Sequence, residues 1–181
     1  MKWRKLLPLL LATSLTVGSN CAWAAGMERN DDEMKTERVV QTAGRDAHAK
    51  EMVFPIGTRN EAYAKYFVGQ SYLAPVSTSQ VGIFNVTFEP GCRNNWHIHH
   101  ADKGGGQILL VTGGRGYYQE WGKEARELLP GDVVNIPAGV KHWHGAAPTS
   151  WFAHLAIEVP GENTRNEWCE PVAEKEYRSL K

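Results

Sequence analysis

Thiols are scarce in this sequence. It has three cysteines in 181 residues and no Cys-x-x-Cys spacing, which excludes thiol-rich zinc sites and dithiol redox motifs. An excess of charge is lacking too. Lys and Arg total 20 against 20 Asp and Glu, so there is no basic footprint for nucleic acid or anionic lipid. The apolar run Leu6 to Val17 covers 12 residues, whereas a membrane span needs roughly 20. No solenoid-period repeat and no low-complexity tract occurs, which excludes repeat arrays.

That short apolar run follows Met1-Lys2-Trp3-Arg4-Lys5 and leads to Ala22-Trp23-Ala24. A basic start, an apolar stretch and an Ala-x-Ala site read as a signal peptide over residues 1–24. Cys21 lacks the preceding pattern of a lipid-anchor site. The expectation is a periplasmic or secreted protein with no membrane attachment after cleavage. Cleavage removes three basic and no acidic residues from the balanced 20 and 20, leaving a net charge of −3. Cys92 and Cys169 remain. An oxidising compartment permits a disulfide, but the sequence leaves their separation open.

Residues 25–52 are polar and charged, and read as a flexible linker. From Phe54 the character changes, and residues 53–181 are expected to form one domain. Glu61 to Phe67 fits either a few helical turns or an early strand. Beyond it, Val81 to Phe88 is rich in β-branched and aromatic residues and stops at Glu89-Pro90-Gly91. Further short apolar runs cover Asn95–His99, Gln107–Thr112, Gly116–Trp121, Val133–Pro137, Lys141–Ala146 and Ser150–Val159. Glycine- and proline-rich turns punctuate them at Lys103–Gly106, Gly113-Gly114 and Pro130-Gly131-Asp132. Such spacing predicts an all-β sandwich or barrel, and a closed barrel or jelly roll hides its sheet edges best. The charged tail from Asn163 is expected to cross the outside, anchored by Trp168.

Within that pattern, His97-Ile98-His99 places two imidazoles on one face of a strand, about 6–7 Å apart. A returning hairpin carrying His142 would bring a third. Three converging imidazoles are a metal site. His144 and His154 fall in later strands and are candidates for acid–base work beside it. His100 reads as a loop residue and His48 as a solvated linker residue. Trp96, Tyr117, Tyr118 and Trp143 fit either pocket walls or plain packing.

The two histidine segments also carry a family pattern. Gly91, five residues, then His97-Ile98-His99 resembles the first cupin motif. Gly131, five residues, Pro137-Ala138-Gly139, two residues, then His142 is similar to the second. The resemblance covers residues 80–158 and implies a cupin double-stranded β-helix, a jelly-roll barrel holding a divalent metal. Gln107–Thr112 and Lys141–Thr149 further resemble small single-domain bacterial cupins, a subgroup that includes manganese-dependent hydroxynitrile lyases. Some relatives carry a carboxymuconolactone decarboxylase label, but that helical domain leaves no trace here.

One departure matters. The glutamate usual after the second histidine is missing, since Lys103 and Gly104 occupy its spacing. The lyase-like subgroup holds that position with glutamine, which implies His97, His99, Gln107 and His142 as ligands, with a lengthened loop His100 to Gly106. The same subgroup implies active-site roles for His144 and His154. Manganese leads among the metals, with Fe, Ni, Co and Zn open. An amide in place of a carboxylate leaves the site's charge at +2, which favours binding of anions.

The reading that results is a secreted metal-binding cupin, leaning to an enzyme of lyase or isomerase type on a small oxygenated substrate. A metal-dependent dioxygenase and a non-catalytic periplasmic binding protein are the alternatives. A sensor would need a DNA-binding module, and none is present. A homodimer exchanging the Tyr63 to Val76 strand is open.

Overall fold

The computed structural model describes residues 31–180; the expected signal segment lies outside them. Among the described residues, fifteen strands, two α-helices and one 3-10 turn follow in order. Helix α1 (Asp31–Glu51) leads to β1 (Thr58–Arg59) and a 3-10 turn over Glu61–Tyr66. Next come β2 (Phe67–Val68), β3 (Ser71–Ser77), β4 (Ile83–Phe88), β5 (Arg93–Asn94), β6 (His97–His100) and β7 (Lys103–Gly104). The hairpin of β8 (Gln107–Gly114) and β9 (Gly116–Glu120) precedes β10 (Arg126–Leu128), β11 (Val133–Ile136) and β12 (Lys141–Ala146). The chain ends with β13 (Phe152–Glu158), β14 (Gly161–Glu162), β15 (Arg165–Trp168) and α2 (Glu174–Arg178).

Two antiparallel sheets make the barrel. One runs in the order β1-β3-β4-β13-β8-β11; the other runs β10-β9-β12-β5-β2, with β6 joined to β12 and β15 to β6. Alternation decides what faces inward. In β8 the buried set is Gln107, Leu109 and Val111; in β11 it is Val134 and Ile136. These meet Phe88, Phe152, Tyr118 and Leu128 in one core between the sheets. The chain is therefore all-β with a jelly-roll barrel. The β8–β9 turn needs glycine at position 114, where φ is +68° and a Cβ would collide with the Trp151 carbonyl.

A second apolar cluster lies on the outer face of the second sheet. There Trp96, Tyr117, Trp143 and Ala147 are covered by Val172 and Tyr177 of the C-terminal segment. The Tyr177 hydroxyl donates to the Ala146 carbonyl at 2.8 Å, and the Arg93 guanidinium lies 4.0 Å over its ring. The tail does cross the outside, but Val172 and Tyr177 anchor it. Trp168 turns inward instead.

Two further expectations need correction. Residues 31–51 are a helix rather than an irregular linker, with Asp32 and Glu33 in the first turn and Lys50 in the last, charges that suit the helix dipole. His48 is buried rather than solvated, and its ring stacks on Trp151 at 5.2 Å. The Arg45 guanidinium lies 5.2 Å over Tyr72. Polar residues with apolar bodies thus fasten this helix to the barrel, which is why its sequence reads as solvated.

Candidate metal centre

His97 and His99 alternate along β6 and point into the barrel, while His100 turns outward to Glu167 at 2.7 Å. Strand β12 lies antiparallel to β6 with His142 opposite His97, so the two rings sit 4.1 Å apart, centroid to centroid. One ring nitrogen from each of His97, His99 and His142 lies within 4.8 Å of the other two.

The hydrogen bonds fix which nitrogen that is. Nδ1 of His97 bonds the Asn95 carbonyl at 3.0 Å, and Nδ1 of His142 bonds the Val140 carbonyl at 2.9 Å. Nδ1 of His99 bonds Oδ1 of Asn166 at 2.8 Å. Each partner oxygen only accepts, so each Nδ1 carries the proton and each Nε2 keeps a lone pair. Nε2 of His99, Nε2 of His142 and Oε1 of Gln107 are buried with no partner in the protein. Buried polar atoms are rarely left so. Imidazoles anchored through one nitrogen and unpaired at the other are the arrangement of metal ligands.

Electrostatics agree with that use. Burial, reinforced by the His142 and His99 rings, pushes His97 well below its ordinary pKa. Burial brings His142 down to about 4 against the pull of the Val140 bond. His99 is lowered by burial as well, opposed by Asn166 and the nearby Gln107 amide. All three stay neutral at pH 7, the form that ligates. A divalent transition ion fits this set of three nitrogens and one amide oxygen.

Beside it opens a cavity of about 220 Å³. Phe67, Leu73, Phe84 and Val86 give it an apolar wall, while His97, His99, Gln107 and His144 face it from the metal side. Glu158 is its one lining carboxylate. His144 is buried behind His142 and held by Asn94, whose Oδ1 accepts from the His144 amide at 3.0 Å and whose Nδ2 lies 3.1 Å from Nε2. His154 does not line the cavity. Its Nε2 lies 3.1 Å from Nδ1 of His144, so it reaches the cavity through that ring. Burial holds His144 well below its ordinary pKa, reinforced by the His154 ring, and brings His154 to about 3.

Sequence reasoning missed Asn94, Asn166 and Trp168. The last two alternate along β15, opposite His99 and His97, and the alternation was the available signal. The long loop after His100 folds back, β7 pairing with β14. Tyr117 and Trp143 belong to the outer cluster with Trp96, whereas Tyr118 packs inside. Cys92 and Cys169 are both free.

Fold, paired histidine motifs and the clustered imidazoles define a class of small jelly-roll β-barrels, and the chain belongs to the cupin superfamily. The family described as Cupin domain matches residues 84–155. The chain is 41% identical to an (R)-mandelonitrile lyase of Granulicella tundricola over 119 residues, 64% of this chain and 88% of that one. It is similar to a cupin-like protein of Thermotoga maritima, with 40% identity, a TM-score of 0.61 and coverage of 70% of this chain and 95% of that chain. A predicted oxalate decarboxylase from the same organism shares the fold at 17% identity and a TM-score of 0.50, covering 61% of this chain and 95% of its own.

Proposed function

We propose that this cupin is a metal-dependent enzyme of lyase or isomerase type, acting on a small oxygenated molecule. The observation that carries the proposal is the convergence of three anchored imidazoles, with Nε2 of His99, Nε2 of His142 and the Gln107 oxygen buried and without a partner in the protein. His97, His99, Gln107 and His142 would hold the ion. The mixed nitrogen and oxygen donors suit Mn, Fe, Co, Ni or Zn, and the resemblance to manganese-dependent cupins favours Mn. When bound, a divalent ion supplies a Lewis acid for negative charge developing on a substrate oxygen.

The remaining residues divide the work. The apolar wall of Phe67, Leu73, Phe84 and Val86 receives the unreactive part of the substrate and excludes water. His144 is the neutral imidazole facing the cavity; exchanging its Nε2 contact with the Asn94 amide for a substrate hydroxyl, it would accept a proton there and return it to the departing group. His154 shares that proton across 3.1 Å. The (R)-mandelonitrile lyase supports the lyase reading and names the first substrate to try. The basic, apolar and Ala-x-Ala start of the sequence supports export, with action in the periplasm or outside the cell.

The test is release of benzaldehyde from mandelonitrile by residues 25–181 loaded with Mn(II), followed by absorbance. Turnover above the spontaneous rate, lost in His97→Ala, supports the lyase assignment. Oxygen uptake by the Fe-loaded protein without any cleavage would replace it with an oxygenase.

A further inference from the structure

The strand that closes the site comes from the end of the chain. β15 pairs with β6 so that Asn166 stands opposite His99 and Trp168 opposite His97. Asn166 accepts the Nδ1 proton of His99 at 2.8 Å, and the Trp168 ring lies 4.8 Å from the His97 ring at an interplanar angle of 28°. Trp168 is itself stacked on Tyr66 at 4.5 Å and 6°. The other two anchors, the Asn95 and Val140 carbonyls, belong to the ligands' own segments, two residues away. Of the three Nδ1 anchors, Asn166 alone comes from elsewhere in the chain.

We propose that Asn166 and Trp168 are positioning residues of the metal centre, so that docking of the C-terminal strand and metal binding are coupled. The inference rests on the proposed metal site. Asn166 sets the tautomer of His99 and aims its Nε2. Without an acceptor there, His99 is free to rotate or to hold its proton on the nitrogen that must bind the ion. Trp168 fixes the plane of His97 by stacking. An ion that binds only the docked arrangement must in turn hold the strand in place, since coupling between binding and conformation is reciprocal.

The partner of His99 is an amide where a carboxylate is common. No negative charge therefore reaches the ion through any of the three histidines, whose acceptors are two backbone carbonyls and Asn166. A neutral amide ligand at Gln107 completes a ligand set that carries no charge of its own, so that the nearest carboxylate on the cavity wall is Glu158. Asn166 thus serves both orientation and charge.

Several contacts seat the strand. The Trp96 amide donates to the Glu170 carbonyl at 3.0 Å, and the Cys169 amide to the Trp96 carbonyl at 2.8 Å. Nδ2 of Asn95 donates to the Cys169 carbonyl at 3.2 Å. Asn95, whose carbonyl holds His97, thereby also holds the tail.

The experiment measures Mn(II) affinity of residues 25–181 by competition with a chromophoric chelator, for wild type, Asn166→Leu and Asn166→Asp. Loss of such a partner weakens metal binding about 10- to 100-fold. Asn166→Leu is expected to fall in that range while the metal-free thermal midpoint changes little. Asn166→Asp keeps an acceptor and is expected to bind at least as tightly as wild type. Hydrogen exchange of residues 165–170, read by mass spectrometry, should slow on adding Mn(II). Equal affinity in wild type and Asn166→Leu, or exchange unaffected by metal, overturns the coupling while the metal site stands. Failure of the wild type to bind any metal overturns the site and the coupling together.

Discussion

Nε2 of His154 lies 3.1 Å from Nδ1 of His144, both rings inside the barrel, one facing the cavity and the other behind it. In the proposed mechanism the pair gives the two histidines unequal work. His144→Ala removes the group that meets the substrate and should lower kcat by about 10²- to 10⁴-fold, the usual contribution of general acid–base catalysis. His154→Asn should cost less, because His144 retains Asn94. Metal content should be unchanged in both variants. Steady-state rates beside metal analysis check this, and equal losses in the two would contradict the ordering.

In the proposed centre, Gln107 is the ligand that decides the charge of the set. Gln107→Glu adds one negative charge beside a divalent ion; at 4 Å and an effective dielectric of 20 that is worth about 8 kcal/mol before desolvation. Affinity for Mn(II) should rise by about tenfold or more, and turnover should fall as the ion becomes a weaker Lewis acid. Chelator competition and kcat measure the two effects. Weaker binding in Gln107→Glu would place the residue outside the ligand set.

How much of this was legible follows from sequence separation. His97 and His99 declare themselves because a strand has period two, and Gln107 opens a strand whose inward set continues to Leu109 and Val111. Asn166 and Trp168 were hidden because β15 meets β6 from 67 residues away along the chain, inside a tail that reads as charged surface. Helix α1 was hidden for another reason: its buried contacts are made by His48 and Arg45, residues that composition counts as solvated.

His48 makes stability sensitive to acid. Burial lowers its pKa, opposed by Glu51, so the unfolded chain binds the proton more readily than the folded one. The stacked, neutral ring contributes fully above about pH 6.5, and its contribution is lost as pH falls through the lowered value. His48→Gln should therefore be less stable than wild type at pH 7.5, with the gap narrowing toward pH 5. Thermal midpoints of the metal-free proteins read this out. A gap that widens on acidification would mean that His48 is protonated in place.

Tyr177 holds the tail to the second sheet through its ring, its hydroxyl and the Arg93 guanidinium. Removing a buried aromatic side chain costs about 3–5 kcal/mol. Tyr177→Ala should fall near the lower figure in urea unfolding, because the site lies close to the chain end and can relax. A loss under about 1 kcal/mol, within the range of ordinary surface changes, would show that the tail adds little to the fold.

The central claim is that His97, His99, Gln107 and His142 hold one divalent ion. Metal analysis by plasma mass spectrometry of residues 25–181, purified without chelator, tests it most directly. The account predicts close to one transition ion per chain, reduced in Gln107→Ala and lost in His97→Ala. A chain that stays free of metal after anaerobic reloading with Mn, Fe, Co, Ni and Zn would contradict it.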